Sequence, residues 1–532
     1  MQNASWLLLV AGGTAYALGN VGWGLWPLGF VCLVPLWRAL IIDTHSTLSR
    51  GLRLGLVYGL VTYVVGFTWL FALAGHFIDS ISGATALWLA YGLWFALGFG
   101  LYGLCCQWLL RQAIPTWVSL STPLLLLEAV QVSLFPTYLG AGLVHQDNLA
   151  QLASLGGPPL LSALVIAVNW QVFRLSDNPK RSVLYLIGIL ALLGASYLHG
   201  TLASIPLHSK VAADPVHFGV VQNNVVQATQ DSAHGDTAFD RKTHARNLAL
   251  SRELLATQPI DVLVWPESAY SRALRRPLPL DAQFIRRDIN VPLLFGGTSN
   301  FHYRGRAASA NSLFLSDHQG RIDQAYDKQL LLPFAERVPE PEVLASLLGW
   351  LPQRQVNQWR ANYHDWIGRL FPWHQDFQPG PGRSSLSLAG LNMATPICFE
   401  MVHPDYVRQL VRNGNANIIV SIANDAWFGD NQEPGIHLSM ARLRAIEHGL
   451  WLVRATNSGY SAIIDPHGRI VAKSGLFVEQ TLSAQVFPLS AITLYRRMGN
   501  WVAYLACALL GVLLLRRLIL ASDRKGFLAA NR

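Results

Sequence analysis

The chain has 532 residues, 52% of them hydrophobic and only 13% charged, with a formal net charge of +9. Soluble proteins carry about 25% charged residues, so a wholly water-exposed globule is excluded. The basic excess accompanies no nucleic-acid-binding module, and the sixteen histidines show no HExxH or comparable ligand spacing, so neither nucleic-acid binding nor a catalytic metal is expected.

The charge deficit is local. Residues 1 to about 205 and about 498–520 hold nearly all the apolar runs, whereas about 210–490 has an ordinary globular composition. A membrane-crossing helix needs about 20 apolar residues. About eight such segments are legible, near 4–19, 23–42, 52–74, 84–110, 114–135, 151–173, 182–202 and 499–519. Gly19, Gly22 and Pro27 interrupt the first two, and Pro115 and Pro123 the fifth. The start lacks a basic n-region and a clear small-residue cleavage site, so a first span is expected there rather than a cleaved signal. In the fourth span, GLWFALGFGLYG places small residues where helices pack closely. Glu128 in LLLLEAV is costly in lipid and is expected to face protein or water, with bundle packing the favoured role.

Basic residues set the orientation. Arg50 and Arg53, then Arg111, then Arg174, Lys180 and Arg181, and finally Arg516, Arg517, Arg524 and Lys525 flank alternate span ends. The intervening loops, about 75–83 and 136–150, contain no Lys or Arg. Basic loops stay in the cytoplasm, which puts the large domain on the opposite side. The expected organisation is a bundle of about seven helices over 1–205, an extracytoplasmic catalytic domain over 210–490, a last span over 498–520 and a cytoplasmic tail over 521–532.

The large domain alternates. HFGVVQNNV is a β-branched strand, 239–257 an amphipathic helix, and DVLVWPES a strand ending in a turn. VPLLFGGTS and NSLFLSD are further strands, and LNMATPICFE, NIIVSIAND, WLVRATNSG and SAIIDPHGRIV follow, with helices near 404–413 and 437–448. Such alternation predicts a layered α/β domain. Several strands are expected to end in polar residues, at Glu267, Ser299, Cys398 and Asn424 with Asp425, and chemistry in α/β sheets collects beyond strand ends.

Of five cysteines, Cys32, Cys105, Cys106 and Cys507 lie in apolar spans, where packing is the default; Cys398 stands alone in the large domain. A lone thiol in an oxidising compartment asks for a reason. Glu267 closes DVLVWPE, Lys328 lies in QAYDKQLLLPF, and Cys398 closes ATPIC. Taken singly, each is more readily a surface charge or a packed thiol. As a set they make chemical sense. A carboxylate in a partly apolar pocket deprotonates a thiol, and an ammonium stabilises both the thiolate and an oxyanion.

The flanks of these residues carry a resemblance. WPES, YDK…LLPFAE and PICFE resemble the Glu-Lys-Cys signatures of the nitrilase superfamily, and FGGTSN and SIANDAWFG fit the same fold. NDAWFGD, HLSMARLRAIEHG, RATNSG and YRRMGNW, with FPTYLGAGLVHQDNLAQLASLGG in the membrane half, look like its membrane-embedded branch, the apolipoprotein N-acyltransferases of bacterial inner membranes.

The resemblance implies a polytopic helical bundle carrying an αββα sandwich on the periplasmic side, a monomer without cofactor or metal. It implies Glu267 as general base, Lys328 as oxyanion stabiliser and Cys398 as nucleophile, with Glu336 and Glu400 in support. The implied reaction moves an acyl chain from a phospholipid donor, through a Cys398 thioester, to the α-amino group of a diacylglyceryl-modified apolipoprotein. A membrane-bound amidase, or an acyltransferase acting on another amine, would use the same triad. A transporter or receptor with an inactive domain is the reading from a different class, and the spans' few ionisable residues speak against it.

The chain departs from the pattern at Gln131, Thr137, Gln230, Asp231 and Phe399, which bears on lipid or acceptor contacts. The stretch about 340–377, with Trp350, Trp359, Tyr363, Trp366, Phe371, Trp373 and Phe377, is either a membrane-facing lid or an aromatic minicore. Gly380 and Gly382 would serve as its hinge. Phe399 and Trp427 join the tryptophans as expected substrate-side residues.

Overall fold

The computed structural model describes residues 2–20, 22–42, 47–78, 80–130, 135–203, 214–225, 237–278, 281–303, 306–337, 352–370, 377–380, 385–490 and 492–530. The first part is helical: α1 (Gln2–Gly19), α2 (Val34–Ile41), α3 (Leu48–Gly66), α4 (Trp69–Phe77), α5 (Ile81–Arg111), α6 (Thr116–Val130), α7 (Asp147–Ala150), α8 (Ala153–Asp177) and α9 (Ser182–Ala203). Among the described residues, α5, α8, α9 and Trp501–Leu520 of the last helix are long and apolar enough to cross a membrane. The third expected span is broken instead: α3 and α4 meet at 70°. The first, second and fifth expected spans hold shorter apolar helices, Trp6–Gly19, Trp26–Ile41 and Thr116–Val130. Apolar segments are thus found where hydropathy puts them, but among the described residues four, or five counting the bent pair, are long and apolar enough to cross. Hydropathy counts apolar residues without seeing where the backbone turns.

Close packing in the bundle rests on glycine. A Cβ on Gly55 of α3 would lie 2.0 Å from the Phe99 carbonyl oxygen of α5, and one on Gly103 would lie 2.2 Å from the Gly51 carbonyl oxygen. The two backbones touch because GLRLG faces LGFGLYG. Buried polar side chains tie other helices together. Asn169 of α8 donates to the Gly29 carbonyl at 2.7 Å and accepts from the Leu33 amide at 2.9 Å. Glu128 is buried and accepts from the Leu139 amide at 2.8 Å, so it faces protein and holds the loop that follows α6.

The second part is a sandwich of two sheets. One runs β13–β1–β2–β4–β5–β6 with β3 paired to β4; the other runs β12–β11–β10–β9–β8–β7. The first sheet holds β1 (Val216–Gln222), β2 (Val262–Val264), β3 (Tyr270–Arg275), β4 (Leu293–Tyr303), β5 (Arg306–Ser316), β6 (Ile322–Asp327) and β13 (Gln480–Val486). The second holds β7 (Leu386–Leu388), β8 (Leu391–Ala394), β9 (Ile418–Ala423), β10 (Leu452–Thr456), β11 (Ala462–Ile464) and β12 (Ile470–Lys473).

Period-two alternation sorts the first sheet's side chains between two cores. Phe218, Val220, Val262, Val264, Leu294, Leu313 and Leu315 point to the layer shared with the second sheet. Val221, Leu263, Leu293, Phe295 and Phe314 point outward beneath α10 (Thr237–Thr257), with its Leu248, Leu250 and Leu254. On the far face of the second sheet lie α12 (Pro404–Asn413) and α13 (Glu433–His448), which follow α11 (Gln353–Leu370) in the chain. Ser299 is not at a strand end, as expected, but inside β4, where its hydroxyl meets Ser312 at 2.9 Å.

The sandwich sits on the bundle through α13, which packs on α8, and through α14 (Leu494–Met498), which leads into the last helix α15 (Trp501–Ala530). Arg442 donates to Asp147 at 2.9 Å and Gln151 to the His467 carbonyl at 2.9 Å across this junction.

The α3–α5 contact gives a direct test. Gly55→Leu forces two backbones apart and is expected to destabilise by about 1–3 kcal/mol, the range for over-packing. Thermal unfolding of the full chain in detergent checks this, and an unchanged midpoint would refute the contact.

Candidate active site

Glu267 lies just past β2, where the chain turns through Pro266. Gly296 of β4 makes room for the turn: a Cβ there would stand 2.6 Å from the Pro266 carbonyl oxygen and 2.7 Å from the Glu267 Cα. Lys328 is the first residue beyond β6, and its amide donates to the Asn311 carbonyl at 2.8 Å. Glu267 and Lys328 therefore leave one sheet from β2 and β6, with β4 and β5 between them, and their side chains converge. Lys328 is 1% exposed. Its ammonium donates to Glu336 Oε1 at 2.9 Å and to Glu267 Oε1 at 3.5 Å. Asn311 bridges the same two carboxylates, its Nδ2 donating to Glu267 at 2.7 Å and to Glu336 at 3.0 Å. The Leu332 amide supplies the second oxygen of Glu336 at 2.8 Å.

Cys398 comes from the opposite sheet, four residues past β8, at the start of a short 3₁₀ turn (Cys398–Val402). Its φ is +47°, a left-handed conformation that a residue with a Cβ adopts only under constraint. Glu400 supplies that constraint. It is fully buried and accepts from the Ile397 amide at 2.8 Å, the Gln329 amide at 2.6 Å, the Leu330 amide at 3.0 Å and the Tyr326 hydroxyl at 2.8 Å. One carboxylate thus staples the cysteine turn of one sheet to the lysine loop of the other. The thiol is half-buried and close enough to Glu267 for each group to shift the other's proton affinity.

These surroundings set the charges. Burial raises Glu267 above its ordinary 4.5; Lys328 opposes the rise and Glu336 adds to it. Burial and the neighbouring Glu267 push the Cys398 thiol well up, so it rests protonated. Desolvation pulls Lys328 down, but Glu336 and Glu267 outweigh it and hold the ammonium charged. The arrangement is a protonated thiol beside a carboxylate of raised basicity, with a fixed positive charge between two acids. It fits proton abstraction followed by attack on a carbonyl carbon.

Several residues here escaped the sequence reading. Asn311 lies in NSLFLSD and carries no chemical signature of its own. A second group backs the cysteine turn: His437 of α13 meets the Cys398 carbonyl with Nε2 at 3.2 Å and Asp425 with Nδ1 at 2.9 Å. Arg454 of β10 completes the group, 2.8 Å from Asp425 Oδ2 and 3.0 Å from His437 Nδ1. Burial alone would raise Asp425, yet Arg454 and His437 hold it at about 2. Asp425, Glu433 and His437 lie close enough to hold a metal ion, but the guanidinium of Arg454 already supplies the positive charge at that spot.

The remaining expected residues divide. Phe399 meets Phe135 edge-on at 5.7 Å, and Trp427 meets His76 at 5.5 Å, so both face the bundle. Trp359 stacks on Tyr363 within α11 at 5.8 Å, while Trp366 on the same helix is 58% exposed. Trp350, Phe371, Trp373, Gln131, Gln230, Asp231 and Gly382 lie outside the described residues. Gly380 is clamped rather than hinged: its amide donates to the Lys328 carbonyl at 3.0 Å, and a Cβ there would meet Asp327 at 2.4 Å.

Comparison with known proteins matches residues 224–497 to the carbon-nitrogen hydrolase family and residues 12–171 to the apolipoprotein N-acyltransferase N-terminal domain. The apolipoprotein N-acyltransferase of Azotobacter vinelandii is 32% identical, covering 96% of this chain and 95% of that protein. The apolipoprotein N-acyltransferase of Gloeobacter violaceus is 31% identical, covering 94% and 92%. Among solved structures, a carbon-nitrogen hydrolase from Helicobacter pylori is 15% identical with a TM-score of 0.34, covering 51% of this chain and 89% of its own.

The Asn311 bridge is open to test. Asn311→Ala removes the donor shared by Glu267 and Glu336, so Glu267 loses a stabiliser of its charged form. The turnover rate is expected to fall about 10–100-fold, with its acid limb moved to higher pH. A pH–rate profile checks both, and an unmoved limb would show that Asn311 does not set Glu267's basicity.

Proposed function

Because the chain belongs to the apolipoprotein N-acyltransferase family, we propose that it N-acylates apolipoproteins with a chain drawn from a membrane phospholipid, through a thioester on Cys398. The chain is an acyltransferase with a carbon-nitrogen hydrolase domain. What carries the route through Cys398 is the packing beside it. The bundle's apolar core runs without a break into the residue after the thiol. Trp69 of α4 meets Phe135 at 4.9 Å and Phe428 at 5.6 Å, and Phe135 meets Phe399. A thiol at the end of such a corridor is placed for an acyl ester held in a bilayer.

In the first half-reaction Cys398 Sγ attacks the ester carbonyl carbon while its proton passes to Glu267. Lys328 stabilises the oxyanion that forms. Collapse breaks the carbon–oxygen bond, the proton on Glu267 goes to the departing alcohol, and the acyl group stays on sulfur as a thioester. In the second, the N-terminal amine of the diacylglyceryl-cysteine attacks that carbon and gives a proton to Glu267. The thiolate leaves and recovers the proton, and the product is an amide. One nucleophile serves both steps, so the kinetics are ping-pong. Water competes for the thioester, and apolar surroundings disfavour it.

The charge pattern supports an inner-membrane protein with its catalytic domain on the periplasmic face. Gly51 of α3 lies against Gly103 of α5, so Arg50 and Arg53 gather at the same end of the bundle as Arg111. The four full-length helices, the bent pair and the three shorter helices would together make eight crossings. The aromatic helix α11 fits a lid, and a single copy of the chain holds every proposed catalytic group.

Purified protein incubated with phospholipid should carry an acyl thioester on Cys398, detectable by intact mass and released by hydroxylamine. Cys398→Ser and Glu267→Gln are each expected to lower turnover by about 10³-fold or more. Absence of the thioester would overturn the route, whereas a thioester that never transfers to a diacylglyceryl peptide would point to another amine. The pH dependence has a definite sign. Glu267 must be ionised to accept a proton, and its folded pKa lies above the ordinary 4.5. Activity should therefore fall with decreasing pH at higher values than an unperturbed carboxylate would give, without a matching loss of the folded state.

A further inference from the structure

We propose that the groove between the C-terminal end of α8 and the start of α9 binds an anionic phospholipid of the leaflet remote from the catalytic domain. The inference rests on the membrane reading of these helices and not on the acyl-transfer chemistry. The groove measures about 450 Å³ and is lined by Trp170 and Arg174 of α8 and by Leu184, Tyr185, Ile187 and Gly188 of α9.

Arg174 is its polar centre. The guanidinium carbon lies 5.7 Å from the ring centroids of both Trp170 and Tyr185, and one nitrogen donates to the Tyr185 hydroxyl at 3.2 Å. Among the described residues it forms no ion pair, and one of the guanidinium's five N–H donors is used by Tyr185. A cation beside lipid-facing helices needs a counter-charge, and the protein leaves that position to something else. The headgroup would also meet exposed Lys180 and Arg181 at the turn that joins the helices. Arg38 of α2 comes to the same end, donating to Ser176 at 3.2 Å, and Asp177 opposes them with a single negative charge. Basic pockets between transmembrane helices are sites where anionic lipids bind.

The rest of the groove suits acyl chains. Leu184 is 60% exposed and Ile187 57%, and Val183, Leu186 and Leu190 continue the apolar face along α9. Gly188 keeps the groove open at its side: the atoms a Cβ there would meet first are the amide end of Gln171, at 3.1 Å. This lipid is not the acyl donor. From Pro158 to Arg174 the helix rises about 24 Å at 1.5 Å per residue, and the start of α8 is the end that packs against α13 and α14 of the catalytic domain.

The experiment uses the full chain carrying Cys398→Ser, so that no acyl group is transferred, reconstituted with mixed phosphatidylglycerol and phosphatidylcholine. Native mass spectrometry then reads the lipids retained. Phosphatidylglycerol should be retained at least tenfold over its share, with Arg174→Gln reducing that preference fivefold or more. Gly188→Leu fills the groove without touching the charge and should reduce it similarly. In the background that keeps Cys398, both groove variants should transfer acyl chains within twofold of the parent rate. Equal retention of the two lipids would overturn the proposal, as would groove variants that retain phosphatidylglycerol like the parent.

Discussion

A lysine ammonium with 1% of its surface exposed has to be neutralised where it stands. Glu336 at 2.9 Å and Glu267 at 3.5 Å do this, and the rest of the site is arranged around that trio. Burial is what raises Glu267; Lys328 opposes the rise, and the second carboxylate, Glu336, offsets part of that opposition. Asn311 limits the repulsion by donating to both acids at once. Removing one partner from such a buried pair costs about 3–5 kcal/mol, so the same contacts that tune the chemistry also hold β2, β5 and the loop after β6 together.

Glu400 extends the constraint across the sandwich. The turn that carries Cys398 belongs to one sheet and the lysine loop to the other, and the four hydrogen bonds accepted by this buried carboxylate join them. A left-handed cysteine persists because its neighbours leave it no alternative. On the other side of the turn, His437 holds the Cys398 carbonyl and is itself held between Asp425 and Arg454. The thiol is therefore fixed from the interlayer and from the helix behind it.

The helical half packs its aromatic core directly against the turn that carries Cys398. Aromatic rings from α4, from the loop after α6 and from the residues flanking Cys398 and Asp425 form one apolar path. Glycine contacts between α3 and α5 and the Asn169 hydrogen bonds keep the bundle compact enough to support it. At the far end, Arg174 lies between the rings of Trp170 and Tyr185 and, among the described residues, makes no ion pair.

Much of this was legible in the chain because it depends on local pattern. Apolar run length separated the bundle from the sandwich, and β-branched runs marked HFGVVQ and NSLFLS as strands; which of their residues enter which core appears only in the packed sheets. The unpaired Cys398 and Glu267, expected at strand ends, and Lys328 beside an apolar stretch stood out by residue type and position, and the structure brings the three together. Asn311 was not legible: its partners lie 44 and 25 residues away, and only the pairing of strands brings its amide between them. Nor was the 70° bend that breaks the third span, since apolar content says how much of a helix avoids water and nothing of its path. Residue type and periodicity, which are properties of short windows, set the layers and the candidate groups. Distances between windows belong to the packed sheets and helices, and those distances decide which carboxylate is basic, which charge is shared and where the cysteine turn meets the helical bundle.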